Sequence, residues 1–122
     1  MRLDHDCIRE ILLYIEKNTT DEFCCVSAQD LRSKLQPKYS EDTINYHVRK
    51  IHQACLVDDV FYAENAPQDI SCLSWEGHEY IDNIRDNKVW SNVKEKTKTL
   101  ASASLPILAE YAKKEIFKFL PQ

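Results

Sequence analysis

Apolar residues first recur at helical spacing just behind Asp4, where Ile8, Ile11, Leu12 and Ile15 form an i, i+3, i+4, i+7 stripe. Asp4 suits the N-cap of that helix, and the polar run NTTDE breaks it. Phe23 to Val26 is a short extended apolar run. Ser27, with Asp30 three residues on, then reads as a capping box opening a second helix that turns Ala28, Leu31 and Leu35 inward. Pro37 stops that helix, because its ring removes a backbone donor. Ser40 caps a third, whose first turn holds Glu41 and Asp42, where the helix dipole favours negative charge. At 100° per residue, Ile44, Val48, Ile51 and Cys55 share one face. Asp42, Asn45, Tyr46, Arg49, Lys50 and Gln53 share the other.

The period then shifts towards two. LVDDVFYA and DISCLS read as strands of a hairpin, with Glu-Asn-Ala-Pro-Gln as the turn between them. Ser74 caps a fourth helix continued by Tyr80, Ile81 and Ile84, and Val89 and Trp90 open further helix. Gly77 is the chain's single glycine and falls in the first turn of this fourth helix, where glycine costs about 0.5–1 kcal/mol relative to alanine. Its expected role is a close approach of two backbones that a Cβ would block.

The order helix, short strand, helix, helix, strand, strand, helix is that of an α+β winged helix-turn-helix domain. Leu73-Ser-Trp-Glu-Gly-His-Glu-Tyr resembles the Leu-Thr-x-x-Gly signature that closes many bacterial winged-helix regulators. More specifically, NYHVRKI (45–51), LSWEGHEYIDNIRDNKVW (73–90) and the amphipathic tail resemble an uncharacterised family of small bacterial and prophage proteins built on a domain of unknown function. That resemblance spans nearly the whole chain. It implies the fold and a prophage context and leaves the activity open. One departure stands out: where many winged helices carry glycine just before the Leu-Val pair after the third helix, this chain has Cys55.

With 122 residues, 43% apolar and 30% charged, the chain supports one core and leaves no room for a separate catalytic domain. The expected division is a winged-helix domain over 1–90 and a C-terminal helical extension over 91–122. The start carries charges through its apolar residues, so neither a signal peptide nor a membrane span is expected and the protein is placed in the cytoplasm. Five cysteines, Cys7, Cys24, Cys25, Cys55 and Cys72, make an odd count without a CxxC pair, and reduced, mostly buried thiols are expected. His47 and His52 lie five apart on opposite flanks of the third helix. His5 and His78 have acidic neighbours but no third ligand, so structural or surface roles are expected for the histidines rather than metal binding. No Ser/His/Asp or Cys/His constellation is visible, and one glycine excludes a glycine-rich phosphate loop. No catalytic residue, metal or cofactor is expected, and the protein is read as not an enzyme.

The net charge of −4 is uneven: residues 1–26 carry −3, 27–56 carry +2, 57–90 carry −6 and 91–122 carry +3. The outer face of the third helix is the leading functional candidate. Asn45, Tyr46, Arg49, Lys50 and Gln53 suit base-edge contacts in the major groove of double-stranded DNA, with Lys34 and Lys38 on phosphates. Against this stands an acidic hairpin with Asp58, Asp59, Glu64 and Asp69, since phosphate contact needs cations. The alternative is a protein-interaction adaptor that uses the acidic wing and the apolar tail. In that tail Pro106 fits the first turn of a helix capped at Ser104. Leu105, Leu108, Ala109, Ala112, Ile116 and Phe119 form one face, while Ile107, Tyr111 and Phe117 fall outside it and suit a homodimer contact. Lys113, Lys114 and Lys118 also allow a membrane-surface reading, which the short helix and the acidic remainder of the chain disfavour.

Overall fold

The computed structural model describes residues 1–97, with side chains through Glu95. The chain divides into two compact units, Met1–His78 and a second that begins at Glu79. The elements run α1 (His5–Asn18), β1 (Cys25–Ser27), α2 (Ala28–Leu35), α3 (Glu41–Gln53), β2 (Val60–Ala63), β3 (Ala66–Ser71), α4 (Trp75–Ile84) and α5 (Asn87–Thr97). The architecture is α+β: five helices and one three-stranded antiparallel sheet of order β1-β3-β2 among the described residues.

Local signals set the helix ends. The Asp4 side chain accepts the Cys7 N–H, Ser27 that of Asp30, and Ser40 that of Thr43, so each helix has an orphan donor satisfied at its start. Asp86 does the same for α5, accepting the N–H groups of Lys88 and Val89. α2 stops at Leu35, two residues before Pro37, and α1 buries Ile8, Ile11, Leu12 and Ile15 completely. Each such isoleucine or leucine contributes about 1.5–3 kcal/mol relative to an exposed one. Ala28 and Leu31 of α2 are buried as expected, whereas Leu35 is only half-buried.

The inward face of α3 is Ile44, His47, Val48 and Ile51. Cys55 is not part of it, contrary to the sequence expectation: it lies past the end of the helix, exposed, with φ of 61°. The bonds explain this placement. Cys55 N–H donates to the His52 carbonyl at 3.0 Å and Leu56 N–H to that of Ile51 at 3.1 Å, the paired bonds of a Schellman motif, with Leu56 and Ile51 both buried beneath it. The position calls for a left-handed residue. Cysteine holds it where glycine is usual.

The hairpin departs from expectation in its turn. Only Glu64 and Asn65 form it, with φ of 53° and 63°, the two-residue geometry that matches strand twist. Ala66, Pro67 and Gln68 belong to β3. Tyr62 pairs with Pro67 while Phe61 pairs with Asp69, so Gln68 is the extra residue of a bulge. β1 reaches only as far as Asp69, and at Pro67 the strand has, among the described residues, a neighbouring strand on one side alone, which is where a proline is tolerated. On the core face Val26, Ile70 and Val60 form a buried row across all three strands.

Gly77 has the role expected of it. A Cβ there would collide with the carbonyl oxygen of Leu56 and stand 3.0 Å from its carbon and 3.3 Å from the Cβ of Leu73. Ser74 tightens the same corner. Its Oγ donates to the Cys55 carbonyl at 2.5 Å and accepts the Gly77 N–H at 3.0 Å, while its N–H donates to the Leu56 carbonyl at 3.0 Å.

In the second unit, Tyr80, Ile81 and Ile84 of α4 and Val89, Trp90 and Val93 of α5 are buried. The tail residues Ile107, Tyr111 and Phe117 lie outside the described residues. No described helix is long and apolar enough to cross a membrane.

Candidate nucleic-acid interface

The residues expected to read DNA separate into two groups along α3. Asn45 and Arg49, one turn apart, face the seam with α2 and the hairpin. Arg32 of α2 donates from one guanidinium nitrogen to the Asn45 side-chain oxygen at 2.9 Å and to the Pro67 carbonyl at 3.3 Å, and lies 3.9 Å from Glu41. Arg49 donates to the Asn65 carbonyl in the hairpin turn and stacks its guanidinium 5.1 Å from the Tyr62 ring centre. Two arginines therefore hold the main chain of the hairpin against α2 and α3.

Tyr46, Lys50 and Gln53 make the second group, at i, i+4 and i+7. The Lys50 ammonium lies 5.2 Å over the Tyr46 ring and donates to Gln53 Oε1 at 3.1 Å, and the Tyr46 hydroxyl donates to the Met1 carbonyl at 3.4 Å. These are surface contacts that a ligand can replace. Gln53 is exposed, and Tyr46 and Lys50 are half-exposed.

The phosphate candidates differ from one another. Lys38 pairs with Glu10 at 2.7 Å, and its hydrogen bond to that carboxylate raises the lysine pKa. Lys34 is exposed in the last turn of α2. Of the five cations between residues 27 and 56, Arg32 and Lys38 stand beside carboxylates, which leaves, among the described residues, Lys34, Arg49 and Lys50 to carry the positive charge.

The acidic hairpin residues are exposed, and two are tied down locally. Asp59 accepts the Val60 N–H at 2.8 Å and lies 3.5 Å from His52 Nε2, and Asp58 lies 3.3 Å from the Cys72 sulfur. His52 Nδ1 also meets the Tyr62 hydroxyl at 2.9 Å. Burial raises the Tyr62 pKa, with Arg49 opposing and Asp59 adding to the rise.

His47 is fully buried. Its Nε2 accepts the Asp4 N–H at 2.8 Å and its Nδ1–H donates to the Thr43 carbonyl at 2.8 Å, which fixes the neutral tautomer and ties the start of α1 to α3. Burial lowers the His5 pKa against the opposing pull of Asp4. No three His, Cys, Asp or Glu side chains among the described residues are placed to hold a metal ion.

The cysteines correct the sequence expectation. Only Cys7 is buried, and desolvation raises its thiol to about 12; Cys24, Cys25 and Cys55 are exposed and Cys72 is half-buried. The exposure follows from position, since Cys24 and Cys25 stand at the entry to an edge strand and Cys55 at a helix end. Arg32 and Tyr62 were not singled out from sequence. A cation in the last turn of a helix reads as an ordinary answer to the dipole, and no periodicity shows that its guanidinium crosses to another element.

These features define a small α+β protein with a polar helix face beside an arginine-anchored hairpin. The chain belongs to the family described as "Hypothetical protein (DUF2513)", whose model matches residues 2–104. It is similar to an uncharacterized protein of Haemophilus influenzae, 29% identical over 113 residues, which cover 88% of this chain and 85% of the relative. No solved structure matches it significantly.

Proposed function

We propose that the protein is a non-catalytic winged-helix DNA-binding regulator of phage or prophage type, in which α3 reads the duplex and the β2–β3 hairpin is the wing. The observation that carries this reading is the outward row Tyr46, Lys50 and Gln53 on the helix that follows α2 in a helix-turn-helix order. Lysine and glutamine side chains offer donors to guanine and adenine edges, and Arg49 brings a second charge, whose hydrogen bond goes to a main-chain carbonyl rather than to a carboxylate. With Glu64 at its tip and Asp69 exposed, the wing stays off the phosphates and α3 carries the contact.

Fluorescence anisotropy against an unrelated duplex tests this at two salt concentrations. The expected Kd is roughly 10⁻⁴–10⁻⁶ M at physiological salt, tightening as salt falls. Lys50→Ala is expected to weaken binding and flatten the salt dependence without loss of helical content. Indifference of the affinity to Lys50→Ala removes α3 from the mechanism.

One observation favours a protein-interaction adaptor as the second reading. Phe61 is 62% exposed on the outer sheet face directly opposite Asp69, which puts an apolar ring beside an acid on the wing. No duplex binding even at low salt selects it.

A further inference from the structure

Cys24 and Cys72 stand opposite one another across the antiparallel pair of β1 and β3. Cys25 pairs with Ser71, and one step further out the Cys72 N–H donates to the Cys24 carbonyl at 2.9 Å. Opposed residues of such a pair have Cα atoms about 4.5–5.5 Å apart, within the span a disulfide bridges. The two sulfurs are 2.6 Å apart. A carboxylate oxygen of Asp58 lies 3.3 Å from the Cys72 sulfur on the other side, so Cys24, Cys72 and Asp58 form one row. Cys24 is exposed and open to a reagent from solution.

We propose that Cys24 and Cys72 are a thiol modification site, closing to an intramolecular disulfide on reaction with a small-molecule disulfide of the glutathione class. The Cys24 thiolate attacks one sulfur of the small disulfide, forms a mixed disulfide and releases one small thiolate. The Cys72 sulfur then attacks the Cys24 sulfur. The S–S bond to the small molecule breaks, and the second small thiolate leaves and takes up the proton from Cys72. Two protein thiols are oxidised to one disulfide, and one small disulfide is reduced to two thiols. The reduced pair is held protonated at Cys72, whose thiol is raised to about 12 by its hydrogen bond with Cys24, by burial and by Asp58. Cys24 therefore starts the reaction and Cys72 resolves it. The closed bond spans α2, α3 and the hairpin, so it encloses the whole candidate interface in one covalent loop. The inference stands whether or not that interface binds DNA.

The test is to incubate the full chain with glutathione disulfide, block remaining thiols with iodoacetamide and map peptides without reduction. A linked Cys24–Cys72 peptide that dithiothreitol reverses is the expected result, with Cys25 and Cys55 free of it. Cys25→Ser is expected to close as the parent does, and Cys72→Ser to stop at a glutathione adduct on Cys24. A stable adduct on Cys24 of the parent chain with Cys72 still alkylated overturns the proposal, as does a bond that recruits Cys25 or Cys55.

Discussion

Replacing Gly77 by alanine puts a methyl group where the Leu56 carbonyl oxygen already stands. That oxygen is main chain and also accepts the Ser74 N–H, so it cannot swing aside as a side chain would. The expected cost is about 3 kcal/mol, the upper end of ordinary overpacking. A thermal melt would show it as a clear fall in Tm, while Glu76→Ala next to it, exposed in the same turn, is expected to cost less than about 1 kcal/mol. A Gly77→Ala melt matching the parent refutes the close approach. This role was legible because a lone glycine in a helix demands an explanation. The left-handed conformation of Cys55 was signalled only by the glycine that many winged helices carry there, because it depends on which residue closes the helix rather than on the cysteine itself.

At the scale of elements, caps and stops could be read from sequence: Asp4, Ser27, Ser40 and Pro37 bound helices where expected. The hairpin was harder. Ala66-Pro67-Gln68 has the composition of a loop, and it joins β3 at a point where, among the described residues, a strand lies on one side alone. The anchoring of this hairpin by Arg32 and Arg49 was also invisible, since both donate to main-chain carbonyls far along the chain. From that anchoring, Arg49→Ala is expected to speed amide hydrogen exchange in β2 and in the half of β3 around Pro67 while leaving α1 protected. Lys50→Ala is expected to leave that exchange unchanged. Comparing the two variants separates loss of hairpin anchoring from loss of the proposed DNA contact, because Arg49 serves both and Lys50 only one.

For the whole molecule, a segmental charge count is too coarse to describe a surface. The net +2 over residues 27–56 hides two cations set beside carboxylates, one of which, Glu10, lies in α1 outside the segment. What the site offers without an adjacent carboxylate, among the described residues, is therefore three cations and a short polar row rather than a broad basic face. Fewer phosphate contacts mean a shallower salt slope than a large basic surface would give, and a second copy is one way to double them. We propose that such a copy joins through the tail at Ile107, Tyr111 and Phe117. Light scattering is expected to give a dimer for the full chain and a monomer for a chain cut before Leu100; an oligomeric state indifferent to the cut contradicts that surface.

The contact between Gly77 and the Leu56 carbonyl also has a use outside this molecule. Any sequence proposed as a relative that carries a side chain at the position matching Gly77 must have moved that carbonyl, and with it the connection that leaves α3. The residue at this one position thus sorts candidate relatives into those able to share this corner of the fold and those that must route the chain differently, before any of their structures is known.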